Sequence, residues 1–208
     1  LVYKSTGSWY QLRNERGDLL NARIKGKLRI GDITSTNPVA VGDVVEVDME
    51  GETGNAVITE IHERKNYINR SSPHRKNQHH IVAANIDQSL LFATLREPRT
   101  SLGFIDRFLI TSEAYHIPAI IVFNKCDLYK EKDMNKLEEI RDIYEPIGYR
   151  IMTMSLETGE GLEEVKSILA QKVTLLSGHS GVGKSTFINH LFPGKELKTQ
   201  DVSGWSGK

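Results

Sequence analysis

The order of two short motifs constrains this chain more than any other feature. Asn124-Lys125-Cys126-Asp127 comes first, and Gly178-His179-Ser180-Gly181-Val182-Gly183-Lys184-Ser185 comes after it. The second is a GxxxxGK[ST] phosphate loop, and the first reads as a guanine-recognition loop. In an ordinary guanine-nucleotide domain the phosphate loop precedes the base loop by a long stretch. The inversion implies a circularly permuted α/β domain.

The flanks of both motifs fit such a domain. From about residue 86 onward, strand and helix patterns alternate, which marks a mostly parallel sheet. Residues 89–95, 119–123, 149–153 and 173–176 read as strands. Phe104, Ile105, Phe108 and Leu109 have helical spacing, as do Leu137, Ile140 and Tyr144, and Leu162, Val165 and Leu169, the last helix closing at Lys172. Lys184 to Leu191 begin a further helix. Each motif therefore follows an apolar strand.

The chemistry follows from these residue types. Glycines at 178, 181 and 183 let backbone N–H groups converge on phosphate oxygens, and the helix behind directs its positive end at the same anion. His179, Ser180, Val182 and Thr186 complete the phosphate-binding set by position, with His179 read as a solvated loop histidine. Lys184 is expected to reach the β and γ phosphates, and Ser185 to place its hydroxyl on Mg²⁺. Asp127 can accept from the two N–H groups of guanine, whereas adenine offers no matching donor pair. Asn124 is expected to brace the neighbouring loop and the Lys125 stem to cover the base plane. Ser155-Leu156, after the next strand, is placed to contact the guanine carbonyl through backbone N–H groups. Cys126 reads as a packing residue.

Residues 1–70 have a different texture. Short β-branched runs at 9–12, 43–48 and 55–61 alternate with turn signals such as Arg16-Gly17-Asp18 and Asn37-Pro38. About five strands in this length predict a small barrel of the OB type, with an SH3-like barrel as the alternative. Residues 71–85, with Ser72-Pro73 and little to bury, read as a linker. The fold expectation is thus α/β: an OB-type β-barrel over 1–70, a linker over 71–85, and a circularly permuted P-loop domain over 86–208, incomplete at its C-terminal end.

Composition limits the partners. Formal net charge is zero, so nucleic acid can be attracted only by local patches. One such patch holds Arg23, Lys25, Lys27 and Arg29, with no acid between positions 19 and 31; another holds Arg64, Lys65, Arg70, Arg75 and Lys76. Trp9, Tyr10 and Tyr67 are candidate base-stacking aromatics, although they serve equally well as barrel core. His74, His79 and His80 read as exposed linker residues rather than metal ligands. One cysteine excludes an internal disulfide and any multi-cysteine zinc site. No run approaches the length of a spanning helix, and no signal peptide is visible.

Together these residues resemble the RsgA (YjeQ) family of circularly permuted small ribosomal subunit biogenesis GTPases. Gly7-Ser8-Trp9-Tyr10, Lys25-Gly26-Lys27-Leu28-Arg29, Val41-Gly42-Asp43 and Arg64-Lys65-Asn66 are similar to its barrel, and Ala84-Asn85-Ile86-Asp87-Gln88 to the entry of its nucleotide domain. The resemblance implies a cytoplasmic, monomeric GTP hydrolase that uses GTP with Mg²⁺ and binds the small ribosomal subunit and its rRNA. It implies Lys25, Lys27, Arg29, Arg64, Lys65 and Arg70 as RNA contacts, and Lys184 and Ser185 as catalytic groups. The family continues into a threonine-rich switch I, a DxPG switch II and a zinc-binding domain, and none of these lies within the 208 residues. A chain that starts at Leu1 and stops in this polar stretch is expected to be a fragment that binds guanine nucleotide with little turnover. A non-catalytic rRNA-binding scaffold, and an adenine-using P-loop enzyme with a coincidental NKxD, remain as alternatives.

Overall fold

The computed structural model describes residues 1–6, 8–24, 38–51, 54–71 and 79–194, and of residues 70, 71, 79 and 80 the backbone alone. It divides into two units, Leu1–Ile86 and Asp87–Lys208.

In the first unit, strands β1 (Val2–Thr6), β2 (Trp9–Arg13), β3 (Leu19–Ile24), β4 (Val45–Glu50) and β5 (Asn55–Ile61) form a sheet of order β1-β2-β3-β5-β4. Neighbours are antiparallel except β3 and β5, which run parallel with Ala22 opposite Ala56. The sheet closes where Val2 N donates to Asp43 O at 2.8 Å and Gly42 N donates to Val2 O at 2.9 Å. A five-stranded Greek-key closure with one parallel pair is an OB-type barrel, not an SH3-like meander. Strand alternation fills it: Tyr10 and Leu12 point in with Val2, Ala22, Val39, Ala56 and Ile58, while Trp9, Gln11 and Arg13 point out.

The segment read as a linker contains a strand. β6 (Tyr67–Ser71) and β7 (His79–Ala84) pair antiparallel, Tyr67 opposite Ala84. Ala84 N donates to Val41 O at 2.9 Å and Asn85 Nδ2 to Gly42 O at 2.9 Å. Asn66 and Ile86 bond reciprocally, at 2.8 and 2.7 Å. Residues 79–86 are thus bound into the first unit, which runs past position 70. Composition hid this because the attachment is made largely by backbone groups and two asparagines, with only Ala84 and Ile86 fully buried beside them.

The second unit is a parallel sheet of order β10-β9-β8-β11, built from β8 (Gln88–Ala93), β9 (Ala119–Phe123), β10 (Arg150–Thr153) and β11 (Thr174–Ser177). Every residue of β8 is buried, as a central parallel strand requires. Leu91 and Ala93 face a core with helices α1 (Leu102–Ala114) and α2 (Glu131–Tyr144). Leu90 and Phe92 face the opposite core with α3 (Leu162–Ser167) and α4 (Lys184–Leu191). The third helix stops at Ser167 rather than running to Lys172: Gln88 Nε2 donates to Ile168 O at 2.7 Å, and Gln171 adopts a φ of 57°. Among the described residues no helix is long and apolar enough to cross a membrane.

Candidate guanine-nucleotide site

Both signature loops leave the carboxyl ends of strands that flank β8, the edge where open α/β sheets bind ligands. The phosphate loop joins β11 to α4. Its middle is pinned by Val182, which is fully buried among Phe92, Met154 and Phe187, so this residue can offer a ligand only its backbone. Two glycines are dictated by space. Gly178 and Gly183 have φ values of 139° and 100°, and a Cβ would land on Phe92 O at the first and on Asn124 Nδ2 at the second. Lys184 Nζ curls over its own loop, donating to Gly178 O at 2.7 Å and His179 O at 2.6 Å. Burial pulls its pKa below the ordinary lysine value. Ser185 and Thr186 occupy the first turn of α4, half-buried and exposed respectively. Ser180 is exposed. His179 is half-buried, its ring stacked on Phe104 with centroids 3.8 Å apart, so it is not simply solvated.

The base loop is tied directly to the phosphate loop. Asn124, buried at the end of β9, donates from Nδ2 to Val182 O at 2.8 Å. Its Oδ1 is buried without a partner among the described residues. Lys125 turns the chain in the left-handed region (φ 64°) and donates from Nζ to Glu97 O at 2.5 Å. Asp127 is exposed, with Oδ1 accepting from Ser155 Oγ at 2.5 Å. Ser155 is fully buried, and its Oγ also accepts from Glu157 N at 3.2 Å and Thr158 N at 3.1 Å. The hydroxyl thereby ties Asp127 to the third loop while the residue itself stays exposed. Ser155 N donates to Glu160 O at 2.9 Å, so of this pair the N–H left for a base is that of Leu156. The Cys126 thiol is pushed up to about 11, first by burial and then by Glu160, which keeps it protonated and unreactive.

Tyr129, Glu97 and Phe104 are parts of the site that motif reading missed. Tyr129 OH donates to Asn124 O at 2.9 Å and accepts from Leu95 N at 3.2 Å, and burial raises its pKa well above the usual phenol value. None belongs to a spaced motif, and only its place in the fold brings it to the loops.

The barrel candidates scatter. Tyr10 is 2% exposed and belongs to the core, so it cannot stack on a base. Arg64 is also internal: its guanidinium grips Asp43 through Nε and Nη2, each at 2.7 Å, and donates to Pro38 O at 2.7 Å. That buried pair holds the charge against Asp43, which removes Arg64 from a phosphate-facing surface. Trp9 is 47% exposed, Tyr67 is half-buried beside the Arg64 guanidinium, and Lys65 and Arg23 are exposed, Arg23 pairing with Glu50. Lys25, Lys27, Arg29, His74, Arg75 and Lys76 lie outside the described residues, and Arg70, His79 and His80 are described by backbone alone. Among the described residues no group of three or more metal-ligating side chains converges.

A permuted P-loop domain behind an OB-type barrel defines the class: a circularly permuted GTPase. The RsgA GTPase family model matches residues 61–208, and the RsgA N-terminal domain model matches residues 1–58. The chain belongs to the RsgA GTPase family. It is 50% identical over 208 residues to the small ribosomal subunit biogenesis GTPase RsgA of Bacteroides fragilis, covering 100% of this chain and 67% of that protein. It is 48% identical over 205 residues to the protein of that name from Flavobacterium psychrophilum, covering 98% and 63%. Among solved structures, YjeQ from Thermotoga maritima superposes with a TM-score of 0.78 at 34% identity, over 96% of this chain and 66% of that one. YloQ, described as a circularly permuted GTPase, superposes with a TM-score of 0.71 at 28% identity, over 93% and 64%. The chain spans about two thirds of the length of these relatives.

Proposed function

We propose that this chain is the barrel and nucleotide-binding part of a cytoplasmic GTP hydrolase that serves small ribosomal subunit biogenesis. The observation that carries the reading is the Asn124–Val182 hydrogen bond, which joins a guanine-type loop to a phosphate loop within one parallel sheet. Relatives at about half identity over the whole chain bear the name of that activity.

In this reading Asp127, held by Ser155, accepts from the guanine N–H pair, and Leu156 N–H meets the base carbonyl. The Lys125 stem lies along the base plane. Loop N–H groups from His179 to Ser185, with Thr186 behind them, surround the phosphates. Lys184 moves its ammonium from the carbonyls of Gly178 and His179 onto the β and γ oxygens, where it stabilises charge developing as water attacks in line. Ser185, half-buried at the loop end, is the residue that would hold Mg²⁺ through its hydroxyl. Bound there, the ion would neutralise charge on the β and γ phosphates. Zinc stays a family expectation with no site among the described residues. On the barrel, exposed Trp9, Lys65 and Arg23 are the described residues suited to rRNA, together with the basic run at Lys25, Lys27 and Arg29. We take the protein to act as a monomer.

Displacement of a fluorescent guanine nucleotide tests the base assignment. GDP and GTP should compete at concentrations at least about a hundredfold below ATP. Equal or better competition by ATP would favour the adenine-using alternative and end this reading.

A further inference from the structure

One connection in the second unit touches both ligand loops, and no motif contains it. Between β8 and α1, Leu95 N–H bonds Tyr129 OH, which in turn donates to Asn124 O, and Glu97 O accepts Lys125 Nζ. Arg96 Nε pairs with Asp133 Oδ2 at 2.6 Å, fixing the same connection to the start of α2. So the base loop is braced from this side by polar contacts. The connection ends in the first turn of α1, where Ser101 Oγ accepts from Phe104 N at 3.3 Å. That cap sets the direction of Phe104, whose inner side packs on the core around Ile105 and Leu109. Its ring then meets His179 of the phosphate loop, with centroids 3.8 Å apart and planes 30° from parallel.

His179 is a junction. Its carbonyl accepts from Lys184 Nζ at 2.6 Å, and its ring lies on Phe104. The residue before it, Gly178, has no side chain to anchor the loop, and the next buried anchor is Val182. Beside the Lys184 ammonium, which holds the carbonyls of Gly178 and His179, the Phe104 ring therefore supplies a side-chain contact to the ring of His179 in the first half of the phosphate loop.

We propose that the β8–α1 connection is a third positioning element of the nucleotide site, in which Phe104, through its stack on His179, sets the phosphate loop for a guanosine polyphosphate. This rests on the guanine-nucleotide reading above. The stack acts on the phosphate side alone, so its loss weakens binding in proportion to the phosphates a ligand carries and leaves recognition of the base intact.

The test compares GDP with guanosine as competitors for a fluorescent guanine nucleotide. The proteins are the wild-type chain, Phe104→Leu, His179→Ala and the double variant. Leucine keeps the core contact and removes the stack. Each single change should weaken GDP by about three- to tenfold, the range of an aromatic pair, and leave guanosine within twofold. The double variant should lose no more than either single one, because both remove the same contact. His179→Phe, which restores two stacked rings, should recover most of the GDP affinity. Unchanged GDP affinity in Phe104→Leu, a parallel loss for guanosine, or additive single effects would each overturn the proposal. If the wild-type chain binds neither GDP nor guanosine, the guanine-nucleotide reading itself fails, which is a separate result.

Discussion

The two units of this chain place their functional residues by different physics. In the nucleotide domain the candidate groups are backbone N–H groups and a few side chains at strand ends, held by another loop or by their own. Asn124 holds Val182 O, Ser155 holds Asp127, and Lys184 rests on its own loop. In the barrel the outcome depends on which way a strand residue points. Trp9 and Tyr10 are adjacent, yet one is 47% exposed and the other 2%. Arg64 and Lys65 are adjacent, yet one is enclosed with Asp43 and the other lies on the surface. A loop that binds by its backbone tolerates uncertainty about side-chain direction, whereas a surface that binds by its side chains does not.

Arg64→Ala should give the largest effect and the sharpest test of that contrast. It leaves the Asp43 carboxylate, fully buried, without its cation. Removing one partner of such a pair costs about 3–5 kcal/mol, visible as an early transition in urea unfolding. Affinity for GDP, a property of the other unit, should hold. If the transition does not move and RNA binding falls instead, Arg64 belongs to the surface after all. A smaller effect comes from the neighbouring aromatics. Tyr10→Ala should destabilise the barrel by about 3 kcal/mol through the cavity it leaves. Trp9→Ala should change stability by under about 0.5 kcal/mol and weaken single-stranded RNA binding by roughly tenfold. A large stability loss at Trp9 would erase the inside–outside distinction the strand pattern sets up.

How much was legible follows the same line. The phosphate and base loops could be placed to the residue because their spacing is set by strand-to-helix geometry. The helices with a clear apolar stripe were also readable: Leu137, Ile140 and Tyr144 are the buried apolar face of α2, as their spacing demands. The parallel β3–β5 pair was not readable, since nothing local records which strand lies beside which. β7 escapes a sequence reading because its attachment to the barrel is carried largely by Asn66, Asn85 and main-chain groups, and its buried apolar positions, Ala84 and the following Ile86, are too few to set a period. Phe104 could be assigned to a helix by its spacing. Its second contact, with His179 some seventy-five residues away, exists only in the folded sheet. Ser155 is expected at the site for its backbone, while in the structure it is its hydroxyl that holds Asp127.

That hydroxyl supports the smallest and most specific prediction. Ser155 Oγ donates to Asp127 and accepts from the N–H groups of Glu157 and Thr158, so it orders the carboxylate and the third loop together. In Ser155→Ala the exposed Asp127 can be satisfied by water, and the two N–H groups can partly relax. The net cost is therefore that of a single hydrogen bond, about 1 kcal/mol, or roughly fivefold in GDP affinity. The loss should fall on the contact Asp127 makes with the 2-amino group of guanine. GDP should weaken more than IDP, which lacks that group, and the preference for GDP over IDP should shrink. Lys184→Ala, acting on the phosphates, should weaken GDP and IDP equally. If Ser155→Ala also lowers both by the same factor, Ser155 supports the loop as a whole and does not aim Asp127.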